Sequence, residues 1–287
     1  MFRGCNWIGR YLNCCEHLSI QRSEAGFCYS FNSLSGESTK NCTQDLPEEF
    51  LFEIGPIQKN STCNLRRNIA AGLSTGLEIF LGKLPEEDSL GKDQMYPNGF
   101  QVMINHPLVP PESSKSIYVE EMPGHFFTIK ISYSITKAAQ ELRGMSVTSR
   151  NCLFPDERKS KYFGFYTFET CLMECRIRHI IDRCKCYPHF FDIHEATMRA
   201  FNPPGKHDWL ETRQDLFLNC SCLPTCHEAS FQINYDQFPD TNPYSSEGSG
   251  HLDVFYKELG AIKYRRQLAF NFMNLLGNIL LILLYSF

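Results

Sequence analysis

The chain has 287 residues, a formal net charge of -4, 43% hydrophobic and 13% aromatic residues, and 14 cysteines. That much apolar material argues against disorder and provides for one large core or two smaller ones. The mild negative charge without a basic stripe argues against nucleic acid as a partner, and so dense a cysteine content argues against a reducing compartment unless the sulfurs bind metal.

In chain order, Phe27 to Phe31, Gly76 to Leu81, Phe100 to Ile104 and Phe126 to Ile135 are expected as strands. β-Branched and aromatic residues dominate them, and clusters of Gly, Pro, Asn and Ser bound them. The last alternates over Phe127, Ile129, Ile131 and Tyr133, the period of a half-buried strand. Pro97, Pro107, Pro110 and Pro111 mark turns. The acidic runs Glu86-Glu87-Asp88 and Pro155-Asp156-Glu157 are expected as solvated turns. From Thr167 to about Arg183 the spacing becomes helical, with Phe168, Cys171, Leu172 and Cys175 three and four apart. A short helix is expected around Trp209 to Phe217, and Phe231 to Tyr235 and Val254 to Tyr256 are expected as strands returning to the sheet. The fold class this predicts is α+β: a β-sheet core with a disulfide-laced helical lobe.

The most informative pattern is the cysteine ladder at Cys152, Cys171, Cys175, Cys184, Cys186, Cys220, Cys222 and Cys226. Cys171 and Cys175 lie one helical turn apart, about 6 Å along the axis, while Cys220 and Cys222 share one face of an extended segment at about 6.6 Å. Matched pitch favours Cys171 with Cys222 and Cys175 with Cys220, riveting a helix to an antiparallel strand, with Cys152 and Cys226 enclosing both. Eight cysteines allow 105 pairings, so this nesting is a choice among them.

Three sequons, at Asn41, Asn60 and Asn219, accept glycans only in a translocated chain. Leu268 to Phe287 carries no charge and is long enough, at about 20 residues, to cross a bilayer as a helix. Ile279 to Tyr285 has no polar face, which favours insertion over a buried core helix. The amino end contains no apolar stretch long enough for a signal sequence or a first span. Lys263, Arg265 and Arg266 would by themselves favour a cytosolic location. Oxidised sulfur and a cytosolic location conflict, so an upstream segment carrying a first span is expected beyond this chain, with the bulk of the chain extracellular at the plasma membrane.

Several blocks, in order, resemble the extracellular domain of the degenerin and epithelial sodium channel (amiloride-sensitive sodium channel) family, particularly its arthropod pickpocket-like branch. Gly26-Phe27-Cys28-Tyr29-Ser30-Phe31-Asn32 is similar to a G-x-C-Y-x-F-N strand and Gly76-Leu77-Glu78-Ile79 to a G-L-x-I strand. Pro123-Gly124 sits where a related segment has P-G. Tyr166 to Cys186 resembles Y-x4-C-x3-C-x8-C-x-C, and Cys220-Ser221-Cys222-Leu223-Pro224-Thr225-Cys226 resembles C-x-C-L-P-x-C, the most specific block.

The resemblance implies a subunit of a trimeric, amiloride-sensitive, ligand- or stimulus-gated sodium channel, with sodium ions, the lipid bilayer and related subunits as partners, and neither cofactor nor catalytic residues. It implies the same three nested disulfides and a small bridge from Cys5 to Cys14 or Cys15. The layout it implies is a partial finger-like region at 1–25, a β-rich core at 26–150, a thumb-like lobe at 151–228, returning strands and a linker at 229–263, and the start of the second membrane helix at 264–287. Cys184 and Cys186 lack the partners the family supplies within 191–217, and Cys28, Cys42 and Cys63 have no assigned partner. Gly277 and Asn278 fall at the pore entry, yet Asn278 replaces an acidic residue, Leu280 and Leu281 replace two glycines, and no Gly-x-Ser constriction follows. Filters need backbone or small polar groups facing the ion, so conduction by this chain alone is not expected. A truncated coding sequence and a nonconducting paralogue both fit.

Other motifs in the chain offer different chemistries. Gly72-Leu73-Ser74-Thr75-Gly76 matches a hydrolase elbow, but a strand rather than a helix is expected after the serine, which favours a turn. The cysteines with His189, His194, His207 and His227 offer zinc donors, Cys184-Lys185-Cys186 suggests a redox pair, and the run Tyr162, Phe163, Phe165, Tyr166 and Phe168 suggests a ligand cage. Structural roles are preferred in each case. The alternative of a different class is a secreted or membrane-tethered cysteine-rich binding module without a pore.

Overall fold

The computed structural model describes residues 2–35, 65–83, 99–120, 122, 124–184, 186–188, 200–201, 220–240, 250–269, 276–277, 279–280 and 282. In chain order the strands are β1 (Phe2–Trp7), β2 (Arg10–Leu12), β3 (Ser19–Ser23), β4 (Gly26–Ser30), β5 (Leu77–Leu81), β6 (Gly99–Val102), β7 (Ile117–Glu120), β8 (His125–Ala138), β9 (Tyr187–Pro188), β10 (Ala200–Phe201), β11 (Glu228–Pro239), β12 (Gly250–Tyr256) and β13 (Ile262–Arg266). The helices are α1 (Cys14–His17), α2 (Val147–Arg150) and α3 (Phe168–Cys184). Strands outnumber helices, and the architecture is α+β.

The centre is a seven-stranded sheet in the order β11-β8-β12-β5-β1-β2, with β13 also paired to β8. β8 is the backbone of this sheet because its 14 residues are long enough to hold three neighbours. Along one edge it runs antiparallel to all of β11, from Glu228↔Thr136 to Pro239↔His125. Along the other it takes β12 in parallel opposite residues 126–131 and then β13 in parallel opposite 134–138. Phe127 and Ile129 are fully buried and meet Val119 of β7 and Leu252 of β12 in one cluster. Burying each such side chain contributes about 1.5–3 kcal/mol.

The expected strand beginning at Gly76 starts one residue later, because Gly76 has a packing task instead. A Cβ there would overlap the Val254 carbonyl of β12, so only glycine lets β12 approach. Residues 2–12, within the stretch expected as a partial finger-like region, form β1 and β2 at the end of the main sheet, with β1 antiparallel to β5. Tyr264 to Arg266, expected to open the second membrane helix, are instead the last residues of β13, where alternation of Ile262 and Tyr264 with Lys263 and Arg265 gives a period of two. Among the described residues no helix is long and apolar enough to cross a membrane, although Leu276, Gly277, Ile279, Leu280 and Ile282 are helical. The helix expected around Trp209 to Phe217 lies outside the described residues.

Candidate functional site: the disulfide lobe and its junction with the sheet

α3 begins where Thr167 and Thr170 cap each other. The Thr170 N–H donates to Thr167 Oγ1 at 3.0 Å and the Thr167 N–H to Thr170 Oγ1 at 2.8 Å, so two of the helix's orphan donors are satisfied. Met173 and Ile177 then face inward, one turn apart. On this helix Cys171 is bonded to Cys222 and Cys175 to Cys220, with Cα–Cα distances of 5.8 and 6.0 Å. The partner segment is not the strand that pitch suggested. It is irregular, with the Cys222 N–H turned back onto the Cys220 carbonyl at 2.9 Å, because the residues around it are paired to sulfur and to Tyr166 rather than to a sheet. The Tyr166 hydroxyl, buried at 1% exposure, donates to the Leu223 carbonyl at 2.7 Å and accepts from the Leu223 N–H at 3.1 Å. Burial raises the tyrosine's pKa above its ordinary value, which keeps the donor protonated.

Cys152 and Cys226 close the base of the lobe at a Cα–Cα distance of 5.0 Å. Beside them the Leu153 N–H donates to the Pro224 carbonyl at 3.0 Å and the Cys226 N–H to the Leu153 carbonyl at 2.8 Å. Phe154 is fully buried there, with the Arg143 guanidinium 4.2 Å and the Arg150 guanidinium 5.0 Å from its ring and His227 edge-on. Cations over an aromatic face are attracted by its quadrupole. Asp156 and Glu157 lie exposed in a turn, as expected, and from there hold these cations in place. Asp156 pairs with Arg143 at 2.8 Å, and Glu157 pairs with Arg150 and accepts the Phe154 N–H at 2.8 Å. The charged hydrogen bond from Arg143 holds the Asp156 carboxyl below its usual range.

The base also receives the main sheet. His227 Nδ1 accepts the Ala138 N–H at 3.2 Å, and burial, reinforced by the charges of Lys137 and Arg143, keeps that imidazole below its ordinary pKa and therefore neutral. The Ala139 N–H donates to the Arg266 carbonyl at 2.8 Å. Two residues on, Leu268 packs against the cluster of Ala138, Leu142, Cys152, Phe154 and Cys226. The first residue of the apolar run therefore rests on the cluster that contains the disulfide closing the lobe. At its far side α3 is tied to the core by charge: Arg176 bonds Glu24 at the β3–β4 turn at 3.0 Å and Glu112 at 3.1 Å.

The glycine-bounded serine is structural. Ser74, at a φ of 59°, donates its Oγ to Glu78 at 2.7 Å and its N–H to Asp253 Oδ2 at 2.7 Å. Among the described residues no histidine is bonded to Ser74 Oγ, whose proton goes to Glu78, and β5 follows instead of a helix. Asp253 and Glu78 face each other across β12 and β5, and burial drives the Asp253 pKa up to about 6. His251, stacked on Phe80 at 4.3 Å and near Phe126 at 4.6 Å, is held low by burial, an effect partly offset by Glu78.

Cys5 is bonded to Cys14, which leaves Cys15 an exposed thiol and Cys28 a half-buried one beside Ser23 Oγ at 3.0 Å. Cys186 is disulfide-bonded, so it is not the free half of a redox pair. With Cys171, Cys175, Cys220 and Cys222 in S–S bonds, the zinc alternative has no thiolates at those positions. The aromatic run packs rather than opens into a cage: Tyr162 and Phe163 lie against Ile177, and Tyr166 against Leu153 and Cys171. Asn41, Asn60, Asn219 and Asn278, with Cys42 and Cys63, fall outside the described residues, and Gly277 is exposed. The sequence patterns missed the Phe154 base, whose charged partners fall within 143–157 at no regular period, and the Arg176 ties, which join residues far apart in the chain.

The family model for the amiloride-sensitive sodium channel matches residues 1–279. Sodium channel protein Nach of Drosophila ananassae is 23% identical over 294 aligned residues, 96% of this chain and 51% of that protein. Nach of Drosophila melanogaster is 22% identical over 294 residues, covering 96% and 52%. Pickpocket protein 28 of Drosophila melanogaster is 24% identical over 249 residues, covering 80% and 40%. The chain spans about half the length of the two Nach proteins.

Proposed function

This chain belongs to the amiloride-sensitive sodium channel family, whose members are ion channels rather than enzymes, and we propose that it is the extracellular part of a plasma-membrane sodium channel subunit in which the disulfide lobe works as a lever on the pore. The observation that carries this reading is the contact of Leu268 with the Cys152–Cys226 base, reinforced by the Ala139 to Arg266 hydrogen bond. A ligand or strain that displaces the lobe acts on the first residue of the apolar run through packed side chains and one backbone bond. An external event shifts a two-state gate only by its differential affinity for the two states, and a lobe closed by three disulfides transmits that difference with little loss. The subunit assembles as a trimer, with copies of itself or with relatives. Because Leu280 and Leu281 stand where a filter would need small groups, sodium flux is assigned to the assembly with relatives.

The test is to record amiloride-sensitive sodium current from a full-length subunit carrying this chain, expressed alone and with a pickpocket relative. Current in the co-expressed cells that Cys175→Ser reduces or removes supports the lever. Normal gating with that substitution at normal surface abundance contradicts it, and absence of any current with any relative favours the tethered binding module instead.

A further inference from the structure

β13 carries an uncompensated cationic face. Lys263 and Arg265 alternate with Ile262 and Tyr264, so the two basic side chains share one face. The parallel register sets Arg265 beside Lys137 of β8. Like charges side by side in a sheet oppose pairing, yet among the described residues no carboxylate lies within ion-pair reach of Lys263 or Arg265. Lys137 also makes itself felt at His227, whose pKa it helps to hold down. Both faces of β13 are largely open: Ile262 is 55% and Tyr264 54% exposed.

Position says what this face meets. Arg265 is three residues before Leu268, about 10 Å of extended chain, and the headgroup layer on each side of a bilayer is about 5–8 Å deep. A long basic side chain reaches phosphate across that gap while its stem lies on apolar surface, and an aromatic such as Tyr264 is at home at the same depth. Basic residues beside a span ordinarily favour the cytosolic side. On an extracellular rim they need a stabilising partner.

We propose that Lys263 and Arg265 on β13 form a docking face for the phosphate layer of the membrane that the run from Leu268 enters, fixing the height and tilt of the sheet above the bilayer. The proposal rests on that run being a membrane span. Phosphate of zwitterionic or anionic phospholipid is the ligand, and salt weakens the contact because the charges remain near water.

The full chain is placed in nanodiscs of phosphatidylcholine with phosphatidylglycerol, in nanodiscs of phosphate-free monogalactosyl diacylglycerol, and in neutral detergent micelles. Acetylation of Lys263 is then timed against that of exposed Lys257 in the same molecule. The expected result is that Lys263 reacts about fivefold more slowly than Lys257 only in phospholipid, a gap that closes in high salt and shrinks in Arg265→Gln. Equal ratios in all three environments overturn the docking face. So does equal protection in micelles by inorganic phosphate, which would make this a free-anion site. Retention on vesicles after an alkaline carbonate wash tests the span separately. A chain that is washed off all of them loses both the span and the docking face, whereas a retained chain with unprotected Lys263 loses the docking face alone.

Discussion

The centre of the main sheet and the α3 lobe are held by different forces. Around Phe127, Ile129, Val119 and Leu252 the sheet relies on burial of large apolar side chains, and its free energy is spread over many weak contacts. The lobe buries smaller clusters, Leu153 with Tyr166 and Cys171, and Ile177 alone. It compensates with three disulfides, the two-way Tyr166 to Leu223 clamp and the Arg176 ion pairs. A part that must move as a unit benefits from covalent stiffness, whereas a scaffold can rest on packing alone.

The largest expected effect that separates the regions is reduction. The chain-entropy argument gives about 4 kcal/mol for each bridge closing a loop of this size. Under reductant, amides of residues 152–184 and 220–226 should lose exchange protection while β5, β8 and β12 keep theirs, as read by hydrogen exchange with mass spectrometry. Uniform loss in both regions would erase the distinction. Phe127→Ala should do the converse, costing about 3–5 kcal/mol of global stability in denaturant melts whether or not the disulfides are intact.

Protons should push the two regions in opposite directions. Asp253 has a folded pKa of about 6 against an ordinary value of 3.8, so its stabilisation is complete below the lower value and is lost as pH rises through about 6. His227 is held below its ordinary 6.5, so its contribution is present above that value and is lost as pH falls below it. His251 opposes Asp253 within the sheet, and for that reason the comparison uses variants. Asp253→Asn should abolish the sheet's gain on acidification, and His227→Gln should flatten the acid loss at the lobe base, both read as pH-resolved melts. The smallest effect expected is Tyr166→Phe, about 1–2 kcal/mol through the lost hydroxyl bonds, confined to exchange at Leu223 and its neighbours.

Much of this contrast was legible in the residues. The cysteine spacing and the three-and-four pattern from Phe168 mark α3, and the alternation from Phe127 to Tyr133 marks β8, because residue spacing follows the backbone period; burial follows it only in part, since Phe168 is exposed and Thr128 is as buried as Phe127 and Ile129. β13 was hidden because its charged and apolar residues alternate just before the apolar run that hydropathy marks from Leu268, and the layout implied by the resemblance opened the membrane helix at Tyr264. The irregular path of 220–224 was hidden for another reason: sulfur and a tyrosine hydroxyl replace the ladder that spacing implies. Asp156 and Glu157 lie in the exposed turn that the sequence marks, but their pairing with Arg143 and Arg150 beside Phe154 is a contact that no local pattern encodes.

The central claim is that the lobe and the entry to the apolar run form one mechanical body. The direct measurement is exchange at residues 262–268 in the full chain, with Cys152 and Cys226 intact and after both are replaced by Ser. If the junction couples them, protection at Arg266 and Leu268 falls together with that of residues 138–142 while β5 is unchanged. If 262–268 exchange at the same rate with the base open, the lobe does not act on the run through this junction.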